Sequence, residues 1–131
     1  MSAAMLSLQA AEINVTIHGV DNTDGKLIVR LFDSADGFPK QPAQAIRTAF
    51  IPISENKALT TFSDLPPGTY AIAAAHDSND NGKLDFGLFG IPKEGIGFSR
   101  DAPAKLGPPG FDDAMFELGD DNKTLTIKMR Y

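Results

Sequence analysis

Between Asp77 and Asp85 the chain reads D-S-N-D-N-G-K-L-D. Oxygen-bearing side chains therefore stand at Asp77, Asn79, Asn81 and Asp85, the first, third, fifth and ninth positions of a loop, with Gly82 at the sixth. Calcium, a hard cation, takes about six to eight oxygens, and a tight loop supplies them from alternate residues with a sharp turn at its sixth position. Lys83 adds its backbone carbonyl. The pattern stops at the twelfth position, where helix-loop-helix sites carry a bidentate glutamate and this chain has Leu88. The spacing thus predicts a weak calcium site, with a dissociation constant of about 10⁻⁴ to 10⁻³ M, as in extracellular modules. Candidates for completing the shell are His76, Glu94, Asp101 and Asp112, while Asp80 at an even position points outward. The competing reading is that Asp, Asn and Gly only make a hairpin or Asx-turn connection.

Catalysis has fewer footholds. The side chains that could act are His18, His76, Ser99, Glu94 and the aspartates Asp77, Asp80, Asp85, Asp101, Asp112 and Asp113. Their spacing forms no G-x-S-x-G elbow, no H-E-x-x-H helix and no phosphate loop. His76 beside Asp77 fits proton transfer, but on the face of a central strand a buried hydrogen bond is the stronger reading. Paired Asp112 and Asp113 suit a cap or turn. No catalytic residue is assigned, and the expectation is a non-catalytic protein.

The elements that position these residues must come from one domain, since 131 residues fit a single core. With no cysteine, there is neither a disulfide framework nor a thiol nucleophile. A net charge of -5 and a pI near 4.8 argue against a nucleic-acid partner, which would require clustered Lys and Arg. No apolar run approaches the roughly 20 residues of a membrane span. Residues 1–11, MSAAMLSLQAA, resemble the last part of a secretory signal, yet no Lys or Arg precedes Lys26. They are read as a signal-peptide remnant or a disordered tail, leaving residues 12–131 as a single domain.

From Glu12 onward the hydrophobic period is two. Ile13, Val15 and Ile17 alternate with Asn14, Thr16 and His18; after the turn DNTDG, Leu27, Val29 and Leu31 share one side, which predicts a hairpin. Strands are expected near Ile46 to Ile53, with Pro52 limiting the end to an edge, and in LTTFSDL. Leu65-Pro66-Pro67-Gly68-Thr69-Tyr70 reads as a type II turn needing a positive φ at Gly68. In the following strand Tyr70, Ile72, Ala74 and His76 share one face and Ala71, Ala73 and Ala75 the other, so the strand belongs in the centre of a sheet. Residues 86–112 hold six glycines and four prolines interleaved with large apolar side chains, which predicts an ordered Gly/Pro-rich flap rather than a linker. AMFEL and KTLTIKM alternate again and are joined by a turn through Gly119 to Asn122. About seven short strands with turn punctuation predict an all-β, antiparallel β-sandwich of immunoglobulin or prealbumin type.

Four blocks carry a family resemblance. They are F-x-D-L-P-P-G-x-Y-A-I at Phe62 to Ile72, H-D-x-N-x-N-G-K-L-D at His76 to Asp85, G-I-P-K-E-G-x-G-F-S at Gly90 to Ser99 and P-P-x-F-D-D-A at Pro108 to Ala114. Together they resemble the bacterial family called Domain of Unknown Function 2141, over about Ile13 to Tyr131. The resemblance implies an exported, periplasmic or secreted, prealbumin-like sandwich and implies no activity. The proline-glycine-tyrosine turn alone is similar to turns in transthyretin-like and adhesin repeat domains. The functional expectation is a non-catalytic exported binding or adhesion module stabilised by calcium; the alternatives are a small-ligand carrier with residues 86–112 as lid and, last, a hydrolytic enzyme. The partner would be a protein, a glycan or a small molecule.

Overall fold

The computed structural model describes residues 10–21, 23–77, 95–103 and 109–131. Among these, eight strands form two sheets: β1 (Ala11–His18), β2 (Lys26–Phe32), β3 (Arg47–Ile51), β4 (Ala58–Leu65), β5 (Gly68–Asp77), β6 (Ile96–Phe98), β7 (Phe116–Leu118) and β8 (Lys123–Lys128). One sheet runs β4-β1-β8; the other runs β3-β2-β5-β6, with β7 also on β5. The all-β sandwich expected from the alternation is therefore present, and β5 is central as its two apolar faces require. One pairing departs from the antiparallel expectation, since β1 and β8 run parallel with Ile13 opposite Lys123 and Ile17 opposite Ile127.

The core between the sheets is built by the alternation itself. Ile13, Val15 and Ile17 of β1 meet Leu27, Val29 and Leu31 of β2 and Tyr70, Ile72 and Ala74 of β5, with Phe62, Leu65 and Ile127 closing the layer. Full burial of each large aliphatic side chain contributes about 1.5 to 3 kcal/mol against conformational entropy. Phe62 and Leu65 are three apart and yet both face inward. A β-bulge makes this possible: Ala11 pairs with Leu65 and Ile13 with Phe62, and Asp64 takes a left-handed φ of 59° between them.

Two local expectations, a hairpin and a left-handed glycine, are corrected. The hairpin expected from β1 through the DNTDG turn into β2 does not form, because the two strands lie in different sheets. Val20, apolar and buried, draws the chain over the end of the sandwich, where Asn56 Nδ2 donates to its carbonyl at 2.7 Å. β7 and β8 likewise belong to different sheets, so the turn at Gly119 to Asn122 also crosses between layers. Gly68 has no left-handed φ and instead opens β5 opposite Leu118; the left-handed residue of that region is Asp64. What holds the turn is Tyr70, whose hydroxyl donates to the Pro66 carbonyl at 2.6 Å.

The described parts of residues 86–112 are more regular than a flap. They comprise the edge strand β6, a 3-10 turn at Ser99–Asp101 and a single helical turn, α1 (Phe111–Ala114). Residues 86–94 and 104–108 lie outside the described residues, and the flap reading lies with them. These elements cover the outer face of the five-stranded sheet, turned away from β1. Phe98, Ile96, Ala102 and Ala114 pack there on Ala71, with Phe38, Ala73 and Phe111 partly buried. The alanines allow this second layer to approach closely, as their small size predicts. Phe38 is its hub, edge-on to Phe32 at 5.1 Å, Phe111 at 5.8 Å and Phe98 at 6.2 Å.

The chain after β8 joins the two sheets along one side. Met129 N–H donates to the His18 carbonyl at 2.8 Å, and Arg130 exchanges both backbone hydrogen bonds with Ile96 of β6, at 2.8 and 2.9 Å.

Candidate functional site

The last two residues of β5 point to opposite faces, as the strand period requires. His76 faces the interior and is 1 % exposed. Its Nε2 lies 2.7 Å from the Asp24 carbonyl, which can only accept, so Nε2 carries the hydrogen. Nδ1 is then the acceptor for the Tyr131 hydroxyl at 2.7 Å, and that hydroxyl in turn accepts the Asp21 N–H at 2.9 Å. Burial raises the Tyr131 pKa above its ordinary value; the Asp21 backbone hydrogen bond pulls it back in part. Both ring nitrogens of His76 are thus engaged, and the residue locks the strand ends together.

Asp77 faces outward and is fully buried, with Oδ2 3.4 Å from Nζ of Lys26, its cross-strand partner. Of the expected calcium ligands only Asp77 is described; Asn79, Asn81, Lys83 and Asp85 lie outside the described residues, as does Glu94. The pairing with Lys26 bears on the fit. A calcium ion at Asp77 would share the carboxylate with an ammonium group or displace it. Among the described residues no group of three or more His, Asp or Glu is placed to hold a metal ion.

The remaining candidates are dispersed. Ser99 is buried, its Oγ accepting the Ile72 N–H at 2.9 Å and donating to the Ala114 carbonyl at 2.6 Å, so it staples the 3-10 turn to β5 and α1. Asp101 Oδ1 accepts the Lys128 N–H at 3.0 Å. Asp113 Oδ2 accepts the Gly110 N–H at 3.2 Å and caps α1. Asp112 is exposed, and His18 is half-buried at the end of β1. None of these side chains converges on His76 or Asp77.

Two features absent from the sequence expectations stand out. The first is the edge strand of the five-stranded sheet, β3, which among the described residues pairs only with β2. It carries Phe50, 55 % exposed, with Lys26 Nζ 5.9 Å from the ring centroid. The second is Arg30. This residue is 8 % exposed and sits on the outer face between Thr48 of β3 and Ala73 of β5. Its Nε is buried without a hydrogen-bond partner, and burial lowers its pKa. The signal for Arg30 was present in K-L-I-V-R-L-F: within a strand apolar on both faces, one charge stands between Ile28 and Phe32 at alternate positions.

A family model described as uncharacterized protein conserved in bacteria (DUF2141) matches residues 15–126. The chain belongs to this family. Neither a curated protein nor a solved structure gave a match. The DUF2141 span runs from the middle of β1 into β8 and so takes in both sheets, Arg30, Phe50, His76 and Asp77. It ends before Tyr131, the hydroxyl partner of His76. No helix among the described residues is long and apolar enough to cross a membrane.

Proposed function

We propose that this DUF2141 protein is a non-catalytic, exported binding or adhesion module that engages a protein partner along the open edge of its five-stranded sheet. The observation that carries this reading is β3: an edge strand with Phe50 more than half exposed on its outer face and with only one side paired among the described residues. An edge of this kind offers alternate N–H and C=O groups to an added strand, while the ring supplies a side-chain pocket contact. The engaged ring nitrogens of His76 and the buried, doubly bonded Ser99 support a structural role for the residues that catalysis would have used. Export draws support from the signal-like residues before Glu12 and from the periplasmic or secreted setting that the family resemblance implies. Weak calcium at the loop beginning with Asp77 belongs to the same proposal as a stabiliser, with the Lys26 ammonium opposing it.

The test is site-specific photo-crosslinking in bacterial envelope fractions. A photo-reactive amino acid at position 50 should yield a discrete adduct, and the same amino acid at position 59 should not. Leu59 is the control because it is 72 % exposed but belongs to the other sheet. Equal labelling from both positions, or none from position 50, would remove the edge-strand reading.

A further inference from the structure

Among the described residues Arg30 is a charge without a counter-charge. A buried guanidinium N–H without a hydrogen-bond partner is destabilising, and arginine cannot shed its charge as lysine can. Here Nε has no hydrogen-bond partner, and no carboxylate among the described residues pairs with the side chain. The surroundings are apolar. Along the cross-strand row the order is Thr48, Arg30, Ala73 and Phe98, and Phe32 shares the face two residues on. Within the alanine strip, Ala71 and Ala75 are buried but Ala73, beside Arg30, is only half-buried. The row next to Arg30 is thus less enclosed at Ala73 than at Ala71 or Ala75, and exposed Thr48 flanks Arg30 on its other side.

We propose that Arg30 anchors the carboxylate of a small organic acid whose apolar body rests on half-buried Ala73 and exposed Thr48. The charge count selects a monoanion. The nearest cation on the same face of β2 is Lys26, four residues away and paired with Asp77, so among the described residues of that strand face one guanidinium is available to match one carboxylate. A phosphate dianion would lack its second positive charge, and its hydration shell would meet methyl groups. The guanidinium fork is suited to a carboxylate through two parallel N–H···O bonds. This site is independent of the edge-strand reading and survives or fails on its own test.

The experiment titrates the full chain with acetate, hexanoate and benzoate, with benzamide as the neutral isostere of benzoate and inorganic phosphate as the dianion. Binding is read by calorimetry and by the NMR signal of the Arg30 Nε–H. Hexanoate or benzoate should shift that signal saturably, and benzamide should bind about tenfold to a hundredfold more weakly, the loss of one charge-assisted hydrogen-bonded contact. Arg30→Met should lose carboxylate binding by a similar factor, and Arg30→Lys should retain part of it. If Arg30→Met does not fold, the wild-type Nε–H titration decides alone. Benzamide binding as well as benzoate, phosphate binding more tightly than any carboxylate, or an Nε–H signal that no carboxylate moves would each overturn the proposal.

Discussion

The Tyr131 hydroxyl lies 2.7 Å from Nδ1 of His76, and the two rings meet edge to face at 5.8 Å. This contact ties the chain after β8 to the last turn of the central strand. Tyr131→Phe would leave Nδ1 without a donor and the Asp21 N–H without an acceptor. The expected loss is about 1 to 2 kcal/mol in urea unfolding. A loss below about 0.5 kcal/mol would mean that water replaces the hydroxyl.

Both tyrosines make stability fall in alkali. Burial is the main cause that raises the pKa of Tyr70 and of Tyr131 above the ordinary 10.0. Between the unfolded and folded values the native state keeps a proton that the unfolded chain has lost, so the contribution is complete below about pH 10 and disappears as pH climbs through the raised values. Urea midpoints measured from about pH 8 to pH 11 should decline over the upper part of that range, and more steeply for the wild type than for Tyr131→Phe. Parallel profiles would show that Tyr131 titrates alike in both states.

Phe98 is the aromatic of β6 that the second layer encloses. Phe98→Ala should cost about 3 to 5 kcal/mol, since the ring leaves a cavity beside Phe38 that rigid strands cannot fill. If the measured loss is under about 1 kcal/mol, the outer layer contributes little to stability.

Two glycines should separate cleanly. A methyl group at Gly68 would meet only the Tyr70 ring, at an ordinary 3.7 Å, whereas at Gly97 it would press on Ile127 at 2.8 Å and on the Lys128 carbonyl and Met129 sulfur at 3.0 Å. Gly68→Ala should therefore stay within about 1 kcal/mol of wild type, and Gly97→Ala should lose about 1 to 3 kcal/mol by overpacking. Equal losses in thermal unfolding would contradict the close approach of β6 to β8.

Calcium is tested through Lys26. At about 10 mM the ion should stabilise the fold by about 1.4 to 2.7 kcal/mol if the dissociation constant is about 10⁻³ to 10⁻⁴ M. Asp77→Asn should abolish the rise in melting temperature, and Lys26→Met should enlarge it by removing the competing ammonium. If magnesium produces the same shift, or if the Asp77→Asn protein responds equally, the loop is a turn and not a site.

The layered fold was legible because alternation from Ile13 to Ile17 and from Leu27 to Leu31 records which face is buried. Strand connectivity was not. A turn sequence such as DNTDG is compatible both with folding back and with arching between sheets, and the choice is made by one buried residue, Val20, outside the alternating run. The inward Leu65 depended on a bulge at Asp64 that no glycine announced. For the site, the acidic loop drew attention because its residues are adjacent in sequence. Tyr131 is 55 positions from His76, and the isolation of Arg30 depends on what the neighbouring strands lack, which no local spacing encodes.

The parallel placement of β1 beside β8 has a consequence for how the chain reaches its native state. The Glu12 N–H reaches the Asn122 side chain across 110 residues of sequence, so the β4-β1-β8 sheet lacks one of its three members until β8 is free to join. Non-local pairing of this kind slows folding, because the chain must close a long loop before the contacts repay it. A polypeptide threaded through a channel from its N-terminal side would therefore remain pliable until β8 had passed. The same topology that encloses Ile13, Val15 and Ile17 in the finished sandwich would keep that sheet incomplete during any such passage.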